Sequence, residues 1–433
     1  MINKKNIYYK CHLCKDATHK RIEQWEEDIL FLQNFFLDNH PYLISKPILC
    51  TDTNTHYSHV LLFDETKHNL FINSFQEIKN SLEKHTDDEI IFQIQKTIST
   101  LNDSHSSCQI PFNQFIPISF EFFFNTGGLS SFYAISVPKN QKELLFAELV
   151  QINHINVENI IARINEYISS DNEQWKIYNI SNLTTKYQIT NINLLKACNI
   201  IKSTDKFVSL KLKLESGDIK DLKFRIAKKP PKKNKRISHS SYDTLHYLAS
   251  SLNKNYWTRR FTNDTFYFRI SAFYENEFVS LLDLFTLFLN KISKNCKKLI
   301  IDLRNNNGGK KITGYDYFID KISSIDNIPI IVLVDNGTAS LATMMAIQLK
   351  NRNNNITIIG NCTGSGTSTF AVRPSSYCYT PNRKFYYQIG TLQININFLN
   401  QQCSTIKPDL IITQTIEDLK NGEDTVLNFA INY

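Results

Sequence analysis

Ile22, Trp25, Ile29, Leu32 and Phe36 recur every three or four positions in an otherwise polar stretch, and Ile91, Ile94, Ile98 and Leu101 repeat the pattern. Apolar residues so spaced fall on one face of a helix, so the two stretches predict amphipathic helices that pack together. From Ile110 to about Ile226 the texture becomes β-rich, with runs such as PISFEFFF, VSLKLKLE and DLKFRI and one helical insert over 157–168. Beyond Tyr256, TFYFRI reads as a strand, while Phe278, Leu282, Phe285, Leu289 and Ile292 form one helical face. KKLIIDL and IPIIVLV are nearly continuous apolar runs, as expected of strands covered on both faces. A turn and helix, DNGTASLATMMAIQLK, follow, and then the strands ITIIG, NRKFYYQI and TLQININF. The expected fold class is multi-domain α/β.

KKPPKKNKR, at 228–236, carries two prolines and six like charges, which predicts a linker or an exposed hairpin. A nuclear-localisation or nucleic-acid patch is the rival reading; the absence of interleaved aromatics and of a second basic cluster favours the solvated linker. The expected units are a helical part (1–109), a mostly β or small α/β module (110–227), a basic linker (228–245) and an α/β core (246–433).

The 433 residues are 42% hydrophobic and 21% charged, which suits large folded cores rather than disorder. Forty-nine basic against 41 acidic side chains leave +8, too modest an excess to name an anionic partner. The lysine-rich start has no apolar run behind it, so no secretory signal is read. The best apolar stretch, Phe278 to Leu289, is broken by Asp283 and Thr286 and falls short of the ~20 residues that a membrane span needs. Nine scattered cysteines are no disulfide scaffold. Together these features predict a soluble, cytoplasmic protein without a membrane span. Cys11 and Cys14 form one CxxC near His12 and His19; without a second CxxC, reduced thiols are favoured over zinc, and no metal or cofactor is expected. No phosphate-cradling glycine loop is present, which argues against nucleotide binding.

Three segments carry candidate chemistry. Ser340 stands where a helix begins after a buried strand, a seat that suits a nucleophile and equally a helix cap shared with Thr338. In IIDLRNNNGG, Gly308 and Gly309 let backbone approach a ligand closely, as an oxyanion hole requires, although strand followed by NGG is also an ordinary turn. In NDSHSS, His105 is a candidate base with Asp103 and Ser104 beside it; ten other histidines compete, and an exposed loop histidine is the plain alternative.

In order, LIIDLRNNNGG, IPIIVLVDNGTASLAT, IIGNCTGS and IKPDLIITQTIEDLKNGEDTVL resemble the tail-specific or C-terminal-processing serine proteases, in the clan that includes the tricorn core protease. The resemblance runs from about Trp25 to the C-terminus. ELVQINHINVENII is similar to the family's PDZ-like module, with His154 replacing a glycine. The resemblance implies a crotonase-like α/β catalytic core, a helical N-terminal part and a degenerate PDZ-like module. It implies a serine-type peptidase acting on unstructured peptide or protein, with Ser340 as nucleophile and the amides of Leu341 and of Gly308 or Gly309 as oxyanion donors. The lysine of tail-specific members is absent, as Ser365 or Gly366 stands in its place. The tricorn-like pattern fits better, with His105 as base, Ser104 beside it, and Gln402 where those members carry a glutamate. Thr343 replaces a second glutamate of the family. Glutamine hydrogen-bonds an imidazole but does not balance its charge, so the alternative is an inactive relative that binds peptides or an apolar ligand.

Overall fold

The computed structural model describes residues 18–44, 63–125, 127–239, 255–261, 264–274, 281–292, 296–372, 377–382 and 385–433. Cys11, Cys14 and His12, the linker residues 240–245 and Phe278 lie outside them, as does the side chain of His19.

The first expected helix spans Thr18–Asn39, with Trp25, Ile29, Leu32 and Phe36 fully buried along one stripe. The second spans Asp87–Ser99 and starts at a capping box, Thr86 with Glu89, that satisfies backbone amides at the helix head. Between them lies a helix the periodicity did not single out, Glu65–Asn80, held by Phe71, Phe75 and Ile78. These helices share one apolar cluster with the module that follows: Trp25, Phe36, Ile94, Ile118, Leu149, Ile160 and Leu210 all belong to it. The helical part and the module therefore bury their faces against each other.

The module is built on an antiparallel sheet ordered Ser119–Phe124, Ser130–Pro138, Glu148–Ile152, Phe207–Lys213, Ile219–Arg225. The helical insert appears as Val157–Asn165, and two further helices, Glu173–Ser181 and Ile192–Ala197, precede the last two strands. Lys228–Pro230 and Lys232–Lys235 are exposed, as a solvated linker should be, but Arg236–Ser238 pairs with Ser136–Pro138 as an added strand. The Arg236 guanidinium anchors that strand by donating to Ser119 Oγ (2.7 Å).

Asn153 and His154 turn the hairpin between Glu148–Ile152 and Ile155–Asn156 with φ of 48° and 66°. Two successive positive φ values match the right-handed twist of the paired strands, and only glycine adopts them without cost. His154→Gly is therefore expected to raise stability by about 1 kcal/mol in a urea titration, since the side chain is exposed and no hydrogen bond is lost.

A six-stranded sheet forms the second half, ordered Leu410–Ile411, Thr357–Gly360, Ile330–Val334, Lys298–Asp302, Thr265–Ile270, Tyr256–Arg260. Its pairings are parallel except at the Tyr256–Arg260 edge. Alternate residues feed the two faces: Leu299, Ile301, Val332 and Ile358 pack towards the helices Leu281–Ile292, Tyr315–Ser323 and Leu341–Arg352, while Ile300, Ile331, Leu333 and Ile359 meet the C-terminal helix Thr425–Asn432. That is why both strands read as unbroken apolar runs. Among the described residues, no helix is long and apolar enough to cross a membrane.

Candidate active site

Ser340 sits between the buried strand Ile330–Val334 and the helix Leu341–Arg352, on a turn tied to the neighbouring strand end. Asp335 Oδ1 accepts from the amides of Asn305 (2.7 Å) and Gly337 (3.0 Å), and Ala339 N donates to the Asn306 carbonyl (2.9 Å). Burial raises the Asp335 carboxyl above the usual range. Ser340 itself has φ 52° and ψ −126°, a backbone conformation that suits glycine, and its side chain makes no cap hydrogen bond. Its amide donates to Ser365 Oγ (3.0 Å), a buried hydroxyl. Ser365 thus braces the backbone of Ser340. Thr343 is turned inward, donating to the Thr338 carbonyl (3.0 Å).

The glycine pair lies against this serine. A Cβ on Gly308 would come within 2.7 Å of Ser340 Cβ and 3.0 Å of the Leu341 amide, and φ is +93°. Gly309 bridges to Phe273, where a Cβ would meet the Phe273 carbonyl oxygen at 2.3 Å. The Gly308 amide is already donated to Asn306 Oδ1 (2.8 Å). Among the described residues, the amides of Leu341 and Gly309 have no hydrogen-bond partner.

A buried charge network holds this strand end in place. Asp302 accepts from Arg269 (3.0 Å) and, through both oxygens, from Arg304, whose guanidinium also makes two bonds to Asp424 at the head of the C-terminal helix. Burial alone would raise the Asp302 carboxyl, but Arg304 and Arg269 hold it well below the usual range. The IIDLR and NGEDTVL segments, 120 residues apart, meet here. Asp302→Asn is expected to cost about 3–5 kcal/mol, because it leaves two buried guanidiniums short of charge. A carboxyl with a depressed folded pKa stabilises above its unfolded value of about 3.9 and loses that contribution as pH falls through the folded value. The gap between wild type and variant in denaturant melts should accordingly narrow below about pH 4.

His105 is brought in from the first half of the chain by the strand Ser107–Cys108, which pairs with Tyr386–Gln388, and by Gln388 Nε2, which donates to the His105 carbonyl (2.8 Å). Asp103, fully buried, accepts from the His105 amide (2.8 Å) and from Ser106 Oγ (2.5 Å) and faces His40 Nε2 at 3.3 Å. Burial works against its ionisation, yet His40 and His105 keep its carboxyl below the usual range. Ser104 Oγ lies 3.2 Å from His105 Nδ1 and donates to Asp171 Oδ2 (3.0 Å).

One segment, Thr363–Ala371, links the two halves. Ser365 holds the Ser340 amide, Thr367 donates to Gln402 Oε1 (2.9 Å), and Thr369 donates to Asp171 Oδ2 (2.8 Å). Four residues of extended chain span at most ~14 Å, so the Ser340 amide and Asp171 touch the same short strip. Among the described residues, no hydrogen bond joins Ser340 Oγ to an imidazole or Gln402 to His105. Gln402 instead pairs with Thr367 and Asn397. Asp171 was not singled out from sequence, since nothing in SSDNEQ distinguishes it from an ordinary helix-leading turn. Asn172 does cap the helix that follows, accepting from Trp175 N (3.0 Å).

A cavity of about 700 Å³ opens between Ser119–Phe124 and the six-stranded sheet, lined among others by Glu121, Tyr178, Arg236, Arg304 and Asp335. Ser340 does not line it, so this cavity and the candidate chemistry are neighbours rather than one site.

No protein-family model matches the chain, and no curated protein does. Solved structures do. A CPAF mutant, s499a, is similar at TM-score 0.58 and 13% identity over 93% of this chain and 95% of that one. Mature CPAF in complex with lactacystin is similar at 0.56 and 12%, over 95% and 97%. Tricorn protease is matched at 0.42 and 13%, over 95% of this chain and 36% of that one, too low a score to carry argument. At such identities the likeness speaks for the fold alone. Along nearly its whole length, this chain has a fold similar to that of CPAF.

Proposed function

We propose that this protein is a serine-type peptidase that cleaves unstructured polypeptides through an acyl-enzyme on Ser340. The observation that carries the reading is the seat of Ser340: a glycine-like backbone at the head of a helix, with Gly308 packed against it and the Leu341 and Gly309 amides unpartnered. A polar side chain held in a costly conformation at such a turn is the geometry of a nucleophile presented to a substrate carbonyl.

In this reading the six-stranded half is the crotonase-like core and the antiparallel sheet the degenerate PDZ-like module. Substrate binds as an extended strand near Gly308–Lys310. The Ser340 hydroxyl attacks the peptide carbonyl while His105 Nε2 takes its proton. The Leu341 and Gly309 amides hold the oxyanion, since the Gly308 amide is spent on Asn306. The histidine returns the proton to the leaving amine, and water, deprotonated in the same way, releases the acyl group. The Ser340–His105 bond forms once substrate is seated, as catalytic hydrogen bonds often tighten only in the complex.

A fluorophosphonate probe and a labelled casein test this together. Labelling of wild type at Ser340 with hydrolysis of casein is expected; a folded wild type inert in both assays would instead favour the peptide-binding alternative.

A further inference from the structure

Resting on that reading is the question of what balances the positive charge on His105 during acylation. Gln402 carries no charge and bonds elsewhere. Asp103 is close, its Oδ1 at 3.8 Å from His105 Nδ1, but its oxygens are taken by the His105 amide, by Ser106 and by His40.

Asp171 is placed differently. Its Oδ1 accepts the Ser104 amide (2.9 Å), and its Oδ2 accepts the hydroxyls of Ser104 (3.0 Å) and Thr369 (2.8 Å). Among the described residues, no lysine or arginine forms an ion pair with it; burial raises its carboxyl above the usual range, and two hydroxyls and an amide donate to it. Because the Ser104 hydroxyl donates to Asp171, its oxygen is left to accept, and the group facing it at 3.2 Å is His105 Nδ1. That polarity puts the ring proton on Nδ1 and leaves Nε2 with a free lone pair, the tautomer a base needs.

We propose that Asp171 is the charge partner of His105, acting as a positioning residue through the Ser104 hydroxyl. During acylation the Ser340 proton moves to His105 Nε2. Nδ1 keeps its own proton and donates it to Ser104 Oγ, while the Ser104 proton stays on Ser104 and points at Asp171. No proton reaches the carboxylate; the imidazolium simply forms two hydrogen bonds away from an anion that had no cation before. The acid thus comes from the turn before Glu173–Ser181, not from the position of Gln402. Asn172, next in sequence, fixes that turn to the core by donating to the carbonyls of Ser404 (2.7 Å) and Thr363 (3.2 Å).

The test uses the full chain, casein turnover and the rate of fluorophosphonate labelling. Asp171→Asn keeps the size but removes the charge together with one of the two acceptor oxygens. It should lower kcat and the labelling rate by about 10²- to 10⁴-fold with KM nearly unchanged, in the range seen when the acid of a serine-protease triad is neutralised. Ser104→Ala should lower them comparably, Ser104→Thr should retain most activity, and the double variant should be little worse than Asp171→Asn alone, because the relay works as one unit. Gln402→Glu should leave turnover within about threefold. A labelled, active wild type whose Asp171→Asn form keeps kcat within threefold, or raises only KM, would overturn the proposal while leaving the peptidase reading intact. So would additive losses in the double variant. An inert wild type would remove both.

Discussion

Replacing Ser340 with alanine is expected to abolish casein hydrolysis and fluorophosphonate labelling, a loss on the order of 10⁶-fold, the scale at which removing the nucleophile of a serine protease erases acylation. The fold should survive, because the Ser340 hydroxyl makes no cap bond and its amide keeps Ser365 Oγ as acceptor. Ser340→Gly sharpens the test. Glycine adopts φ 52° without penalty, so this variant should be equally inactive yet about 1 kcal/mol more stable than wild type. A site that gains stability as it loses activity has been held in strain for function. If Ser340→Ala retains turnover, the nucleophile lies elsewhere.

His105→Ala should come close to the same loss, since nucleophile and base act as a unit and removing either costs nearly as much as removing both. The labelling rate of Ser340 should fall with turnover, because the probe also needs a proton taken from the hydroxyl. The loop should keep its place: Asp103 holds the His105 amide and Gln388 the His105 carbonyl, both backbone contacts that alanine preserves. Unchanged melting with lost labelling would mark a chemical role. Rapid labelling of Ser340 without His105 would require another base.

Both predictions concern residues named from sequence, whereas the partner assigned to His105 does not. The difference is one of range. Ser340 and the glycine pair are local signals: each follows an apolar strand directly in the chain, and the strain at Ser340 belongs to the turn between strand and helix, whereas the close approach of Gly308 to it is a tertiary contact. The strands of the second half were legible for the same reason, as burial on both faces leaves an unbroken apolar run. The helix Tyr315–Ser323 escaped notice because its buried residues, Tyr315, Phe318, Ile319 and Ile322, are divided by charged ones.

By itself the sequence determined most of the elements and offered Ser340 as a candidate at a strand-to-helix turn, because hydrophobic period and turn chemistry act over a few residues. It also supplied His105 as a candidate, but only among eleven histidines. Which groups surround that histidine was decided by tertiary structure alone. Asp171 lies 67 residues from Ser104, and Thr369 a further 198 from Asp171. They meet because the module and the six-stranded sheet close around the Thr363–Ala371 strip. Hydrogen bonds and charge pairing depend on separation in space, and a polar residue in a turn shows no trace in its flanking sequence of what the rest of the chain will bring against it.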